Sequence, residues 1–372
     1  MFKDRREYVT CYTGAIKGNK LYVVHEGLDL LMEYDLRDYS YKVLANINPD
    51  EDKRRTRVRG IAILENVIYI AFECSWDILE YHMDTGKIRV NGMKKNCIED
   101  MYAVECTYIC QNEIWMFPCC INEKIRVFNT KTRIFSLKKS IGEYLKENGY
   151  YVEETCFGDY ATSGNGIVYT ITYESHFIIA IDMKSNKYKV FDMGEDKKIA
   201  RIIYDGNGYW LSFSDSGMIV KWSPVNGIEK QYMINDVLID ERGLPIHYMY
   251  DGKESLFIIL SYMQRIILLN KMSGKITYID YPDDYKRINT NIRRYQFYEE
   301  LIYKNYIIAL PFSVNKLLQY NIESGEIKFF ETKLCKEDIE KYILQDELKN
   351  KVITELDGYG VKEFIEYVEK EN

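Results

Sequence analysis

Histidine is scarce in this 372-residue chain: His25, His82, His176 and His247 are the only four, and none lies in an HxH or HExxH arrangement. A histidine-based metal site would have to assemble from separate segments, so no metal and no cofactor are expected. Gly-x-Ser-x-Gly elbows, Walker loops and dinucleotide fingerprints are also missing, which removes the familiar catalytic frameworks. The nine cysteines are irregularly spaced and include no CxxC, unlike a disulfide scaffold or a zinc ribbon, so reduced thiols are expected. Positive charge is not in excess. Fifty Lys+Arg against 57 Asp+Glu give a net charge of -7, which argues against wholesale binding to nucleic acid or an anionic membrane. Long apolar runs are lacking as well, Leu256 to Leu260 being of strand size, so no membrane span is expected. No apolar segment follows Met1-Phe2-Lys3-Asp4-Arg5-Arg6-Glu7, so a secretory leader is not expected and a cytoplasmic location is.

What the chain does have is a globular balance, 47% hydrophobic and 29% charged, and a repeat. An Asn- or Lys-containing turn leads into an apolar strand, as in Asn66-Val67-Ile68-Tyr69-Ile70-Ala71 and Asn112-Glu113-Ile114-Trp115-Met116-Phe117. A second apolar strand then ends in an anchor pair. The pairs are Tyr34-Asp35, Tyr81-His82, Phe128-Asn129, Ile181-Asp182, Trp222-Ser223, Leu269-Asn270 and Tyr320-Asn321. Successive anchors are 47, 47, 53, 41, 47 and 51 residues apart, the spacing of propeller blades rather than of β-helix coils. Turns such as Thr85-Gly86, Asn226-Gly227 and Ser324-Gly325 follow the anchors and supply the positive φ of a tight reversal.

A strand before each Asn brings the unit to four, for example 59–64, 104–110, 201–204 and 247–250. The middle strands are apolar on both faces, as a sheet sandwiched between neighbours requires, and the last strand alternates like a half-exposed edge. The expected fold is all-β: a seven-bladed β-propeller of four-stranded antiparallel blades over residues 1–332. In its aromatic second strand and its aromatic-Asp/Asn pair before a Thr/Ser-Gly turn, the chain resembles kelch-type, galactose-oxidase-like propellers over residues 8–331. The Gly-Gly doublet of that group is replaced here by Glu26-Gly27, Cys119-Cys120 and Pro311-Phe312. That resemblance implies the architecture alone.

Residues 333–372 change period. Ile339, Ile343, Leu344, Leu348, Val352 and Leu356 recur every three or four positions, as do Phe364, Ile365 and Val368 beyond Gly358 and Gly360. They read as amphipathic helices packing on the propeller or on a partner. Ring closure stays open between two arrangements: blades meeting through side chains alone, or an N-terminal strand over 2–10 joining the last blade.

In a propeller, the loops between second and third strands share one face with the loops between blades. Functional residues belong there. The long inter-blade loop from Lys138 to Cys156 is a candidate. Lys53-Arg54-Arg55-Thr56-Arg57-Val58-Arg59 carries five cations in seven positions. Arg59, Arg201, His247 and Arg294 stand at or near the start of inner strands and would ring the channel mouth, where arginine forks suit carboxylates and phosphates. Trp76 and Tyr173, in loops after second strands, add aromatic surface for a sugar ring or a peptide side chain. Glu73, Glu105, Asp159 and Glu174 offer carboxylates at the same end. The expected function is a non-catalytic scaffold binding a protein or other macromolecule through these loops. The alternative is a carbohydrate-active enzyme, or a receptor for an acidic glycan or small anionic metabolite, at the channel mouth.

Overall fold

The computed structural model describes residues 6–48, 57–73, 75–92, 104–150, 158–162, 164–172, 175–235, 237, 246–260, 265–285 and 297–344. These residues form seven four-stranded antiparallel sheets, spanning 14–46, 58–91, 104–138, 158–192, 199–233, 246–280 and 297–331. They are blades 1 to 7 of a β-propeller, each running outward in chain order from an innermost first strand.

Burial follows the strand's place in the blade. Second strands such as Val67–Phe72, Glu113–Pro118 and Tyr306–Pro311 are buried at five of six positions, because both faces of the sheet meet a neighbouring blade. Fourth strands such as Lys87–Asn91 are largely exposed and carry charge along the rim.

The anchor residues act at the turn between third and fourth strands. Each anchor carbonyl in blades 1, 2, 3, 6 and 7 accepts the N–H four residues later, as in Tyr39 to Asp35 (2.7 Å), Gly86 to His82 (2.8 Å) and Gly274 to Asn270 (2.9 Å). The side-chain oxygen of Asn129, Asp182, Asn270 or Asn321 accepts two further backbone N–H groups inside the turn. This is why five of the seven anchors are Asp or Asn: a short acceptor mimics one leg of the turn, a part that the Ser223 hydroxyl plays for Asn226 N–H in blade 5. The fourth residue after the anchor has positive φ. It is glycine in four blades and Tyr39, Arg133 or Asn186 in the others, at a steric cost that the anchored turn absorbs.

Seven apolar clusters hold the ring, and each draws on two consecutive blades. Trp115, Phe117 and Ile179 join blades 3 and 4; Trp210, Ile258 and Ile267 join blades 5 and 6. The cluster of Leu21, Met32, Ile308 and Leu317 joins blades 7 and 1, so the circle closes. Each fully buried large side chain contributes roughly 1.5–3 kcal/mol, so these walls carry most of the driving force.

Closure combines both expected arrangements without completing either. Blade 7 supplies its own four strands, yet backbone also spans the seam. Val9 N–H donates to Thr332 (2.9 Å), Leu334 N–H to Glu7 (2.7 Å) and Cys11 N–H to Pro311 (2.9 Å), with Tyr8 and Lys333 as an antiparallel bridge.

The segment after Lys138, expected as loop, contains the helix Ile141–Glu147. Ser140 and Glu143 form a reciprocal capping box at its start, and Ile141 and Leu145 sink into the wall between blades 3 and 4. Beyond blade 7, a short helix over Lys336–Asp338 runs into a π-helical turn over Ile339–Leu344. Ile339 and Tyr342 pack on the closing cluster, and Tyr41 hydroxyl donates to Asp338 (2.9 Å). The second expected helix lies outside the described residues.

Candidate functional site

The inner strands share an irregularity at the end where they begin. In blades 2, 3, 5, 6 and 7 the pairing with the second strand slips by one residue there. The extra residue is Arg59, Glu105, Ala200 or His247, and in blade 7 it falls within Tyr298-Glu299. Each slip sits opposite the last residue of the second strand: Phe72, Pro118, Phe213, Leu260 or Pro311. A bulge bends the strand and shifts by one position which side chains face the channel. Here that happens around a ring.

Beneath these bulges lies a cavity of about 130 Å³. Every blade contributes to its wall: Tyr12 and Thr13 ahead of blade 1's first strand, then Arg59, Glu105, Tyr160, Arg201, Tyr248 and Glu299 in turn, with Tyr108 deeper in blade 3. Arg59, only 10% exposed, pairs with Glu73 at 3.3 Å and stacks over the Tyr12 ring at 4.0 Å. Arg57, beside it, reaches the same Glu73 at 3.4 Å. Arg201 lies 5.2 Å above the Tyr248 ring. The Cys119 thiol donates to Glu105 at 3.0 Å; burial and this carboxylate push the thiol well up, which keeps it protonated and unreactive. Tyr160 hydroxyl donates to the Pro118 carbonyl at 2.6 Å and Tyr108 hydroxyl to the Tyr160 carbonyl at 3.2 Å, which fixes these two rings.

Glu299 is the least comfortable group. It is partly open to the cavity and accepts the Gly14 N–H at 2.9 Å. Loss of hydration raises its carboxyl to about 7; donors from Thr13 and Gly14 oppose the rise, and the nearby Glu105 charge adds to it.

Of the residues expected at the mouth, the fold brings Arg59, Glu105 and Arg201 into this wall. Trp76 does not line the cavity. Its ring lies 5.3 Å from the guanidinium of Arg126, a fully buried arginine that donates to the Ser75 carbonyl at 3.0 Å, and it packs on the wall between blades 2 and 3. Tyr173, Glu174, Arg294 and the basic residues Lys53, Arg54 and Arg55 lie outside the described residues, as do the side chains of His247 and Asp159. Glu299 and the tyrosines of the wall were not expected. A carboxylate just inside the start of blade 7 was visible in the sequence, but only the register of the bulge turns it toward the channel.

None of the helices among the described residues is long and apolar enough to cross a membrane. No protein-family model and no curated protein sequence matches the chain. Solved structures do. YCF48 bound to the D1 peptide matches with a TM-score of 0.59 at 11% identity, over 84% of this chain and 93% of that one. The β-propeller domain of Cps50 (Swd1) from Myceliophteria thermophila matches at 0.55 and 11%, over 87% and 97%. An inactivated virginiamycin B lyase from Staphylococcus aureus, solved with quinupristin, matches at 0.55 and 15%, over 76% and 87%. At such identities the likeness establishes the propeller fold alone.

Proposed function

We propose that this chain is a non-catalytic binding propeller that holds a protein or peptide segment at the channel mouth, with one residue of the partner entering the cavity. The observation that carries this reading is the cavity, its size and its lining together. At about 130 Å³ it is close to an engineered cavity of about 150 Å³ that holds one benzene ring. Typical small-molecule pockets enclose about 300–1,000 Å³. A single side chain or chain end suits this space better than an extended glycan. Fold analogy adds modest support, since one propeller of similar architecture was solved with a peptide.

The acidic-ligand alternative draws on Arg59 and Arg201, but Glu105 and Glu299 in the same wall oppose a purely anionic guest. The kelch-type relationship rests on the aromatic-Asp/Asn turns, and the cytoplasmic location on nine cysteines without a CxxC; both belong to the same proposal.

The test is a partner captured by the full-length protein and titrated against variants. Arg201→Gln and Glu105→Gln should each weaken binding about tenfold or more. Val225→Asp, on an exposed turn at the opposite end of blade 5 (89% exposed), should leave it unchanged. The reverse pattern would sink the reading.

A further inference from the structure

A strap running from Glu7 to Gly14 follows the seam between blades 7 and 1. Its backbone is tied on both sides. Val9 N–H donates to the Thr332 carbonyl just beyond blade 7 and Cys11 N–H to Pro311 within it, while the Thr10 carbonyl accepts Glu26 N–H from blade 1 at 2.8 Å. These are backbone pairs and do not titrate. At the end of the strap the pattern changes: Gly14 N–H goes to a side chain, the Glu299 carboxyl in the bulge of blade 7, at 2.9 Å. A Cβ on Gly14 would stand 3.0 Å from Leu310 and 3.1 Å from Leu301, both of blade 7. Bare backbone is what lets the strap come this near.

We propose that this contact is a proton-operated latch: the strap lies closed on the seam while Glu299 is neutral, and opens locally once Glu299 ionises. Tyr12 and Thr13 belong both to the strap and to the cavity wall, so the latch also sets one side of the channel mouth. Nothing in it depends on a partner being bound there.

The surroundings of Glu299 give the direction. Its donors are Gly14 N–H and the Thr13 hydroxyl, and among the described residues no cation pairs with it. Glu105, from blade 3, repels its charge. Arg59 and Arg201 line the same cavity but lie against other groups, Arg59 against Glu73 and the Tyr12 ring, Arg201 against the Tyr248 ring. Burial pushes the Cys11 thiol and the Tyr12 hydroxyl well up, so both stay neutral. Cys106, Tyr108, Tyr160 and Tyr248 complete the titratable groups of the wall. Lost hydration outweighs the two donors and holds the proton on Glu299 up to about 7. Opening the strap returns the carboxyl to water, where it holds its proton only up to about 4.5. The preference for the closed strap is therefore full below 4.5 and is lost as pH rises through 7. At pH 8 that amounts to on the order of a hundredfold in the opening equilibrium.

The experiment is hydrogen exchange read by mass spectrometry on the full chain alone, from about pH 6 to about pH 9, each rate divided by the intrinsic rate at that pH. Amides of the strap should exchange faster than those of Ile167–Thr172, a buried second strand in blade 4, because local opening precedes global unfolding. Their corrected rate should rise about tenfold or more as pH passes through 7. Glu299→Gln, neutral at every pH, should keep the strap slow throughout. Glu105→Gln should move the onset to lower pH, a shift that a merely structural glutamate would not produce. A corrected rate that stays flat with pH in the wild-type protein overturns the proposal, whether or not the variants fold. So does an equal rise in Glu299→Gln, or a strap that exchanges no faster than Ile167–Thr172.

Discussion

The walls between blades and the mouth of the channel are built from the same strands and follow opposite rules. In the walls, regular pairing presents one apolar face to each neighbour, and side chains such as Trp115, Trp210 and Phe257 are fully buried. At the mouth the pairing slips, and arginine, glutamate and tyrosine share one small cavity. One end stores stability and the other gives some of it up, as Glu299 illustrates: an ionised carboxylate there costs the fold something that only a guest could return. Strained or poorly solvated groups gathered at one end of a stable scaffold are where binding is to be sought.

This contrast can be broken by mutation. The largest loss is expected in a wall. Phe257→Ala, in the cluster joining blades 6 and 7, should destabilise by about 3–5 kcal/mol, read as a lower urea midpoint. An equal loss from Arg201→Gln at the mouth would erase the distinction.

Next comes a gain. The Glu299 carboxyl sits at about 7 in the fold against 4.5 ordinarily, so the folded state holds the proton more tightly. Its contribution to stability is full below 4.5 and is lost as pH rises through 7. Glu299→Gln should therefore stabilise the protein at pH 8, by up to roughly 3 kcal/mol, with the gain fading toward pH 4. Thermal melts across that range check it, and a gain that does not depend on pH would contradict the assignment.

The smallest effect probes where the two regions meet. A Cβ on Gly60 would stand 2.2 Å from the Thr107 methyl of the next inner strand, so Gly60→Ala should cost about 1–3 kcal/mol. Adding Thr107→Ala should recover part of that loss, as contacting residues do in a double-mutant cycle. Strict additivity would mean that the inner strands are not in contact there.

The walls were legible in the sequence for a physical reason. Two-sided burial forces continuous apolar runs, and the turn after the third strand favours the Asp or Asn acceptor found at five of the seven anchors, so the recurring turn marked seven blades. The mouth was legible only in part. Arg59, Glu105 and Arg201 could be placed beside the channel because inner-strand starts were identifiable, but a bulge offsets the alternation by one, and Glu299 was hidden by that offset. Trp76 was expected at the mouth because its loop lies on that face, yet the buried Arg126 offers its ring a cation and draws it into the wall. The helix Ile141–Glu147 was missed although Ser140 and Glu143 spelled out its capping box. An insertion between blades hid a short amphipathic helix.

A structure of the protein with its partner bound tests the central claim most directly. The account predicts atoms of a partner residue inside the cavity lined by Arg59, Glu105, Arg201 and Glu299. A guest seated on the outer strands or at the far end of the channel, with the cavity unchanged, would contradict it.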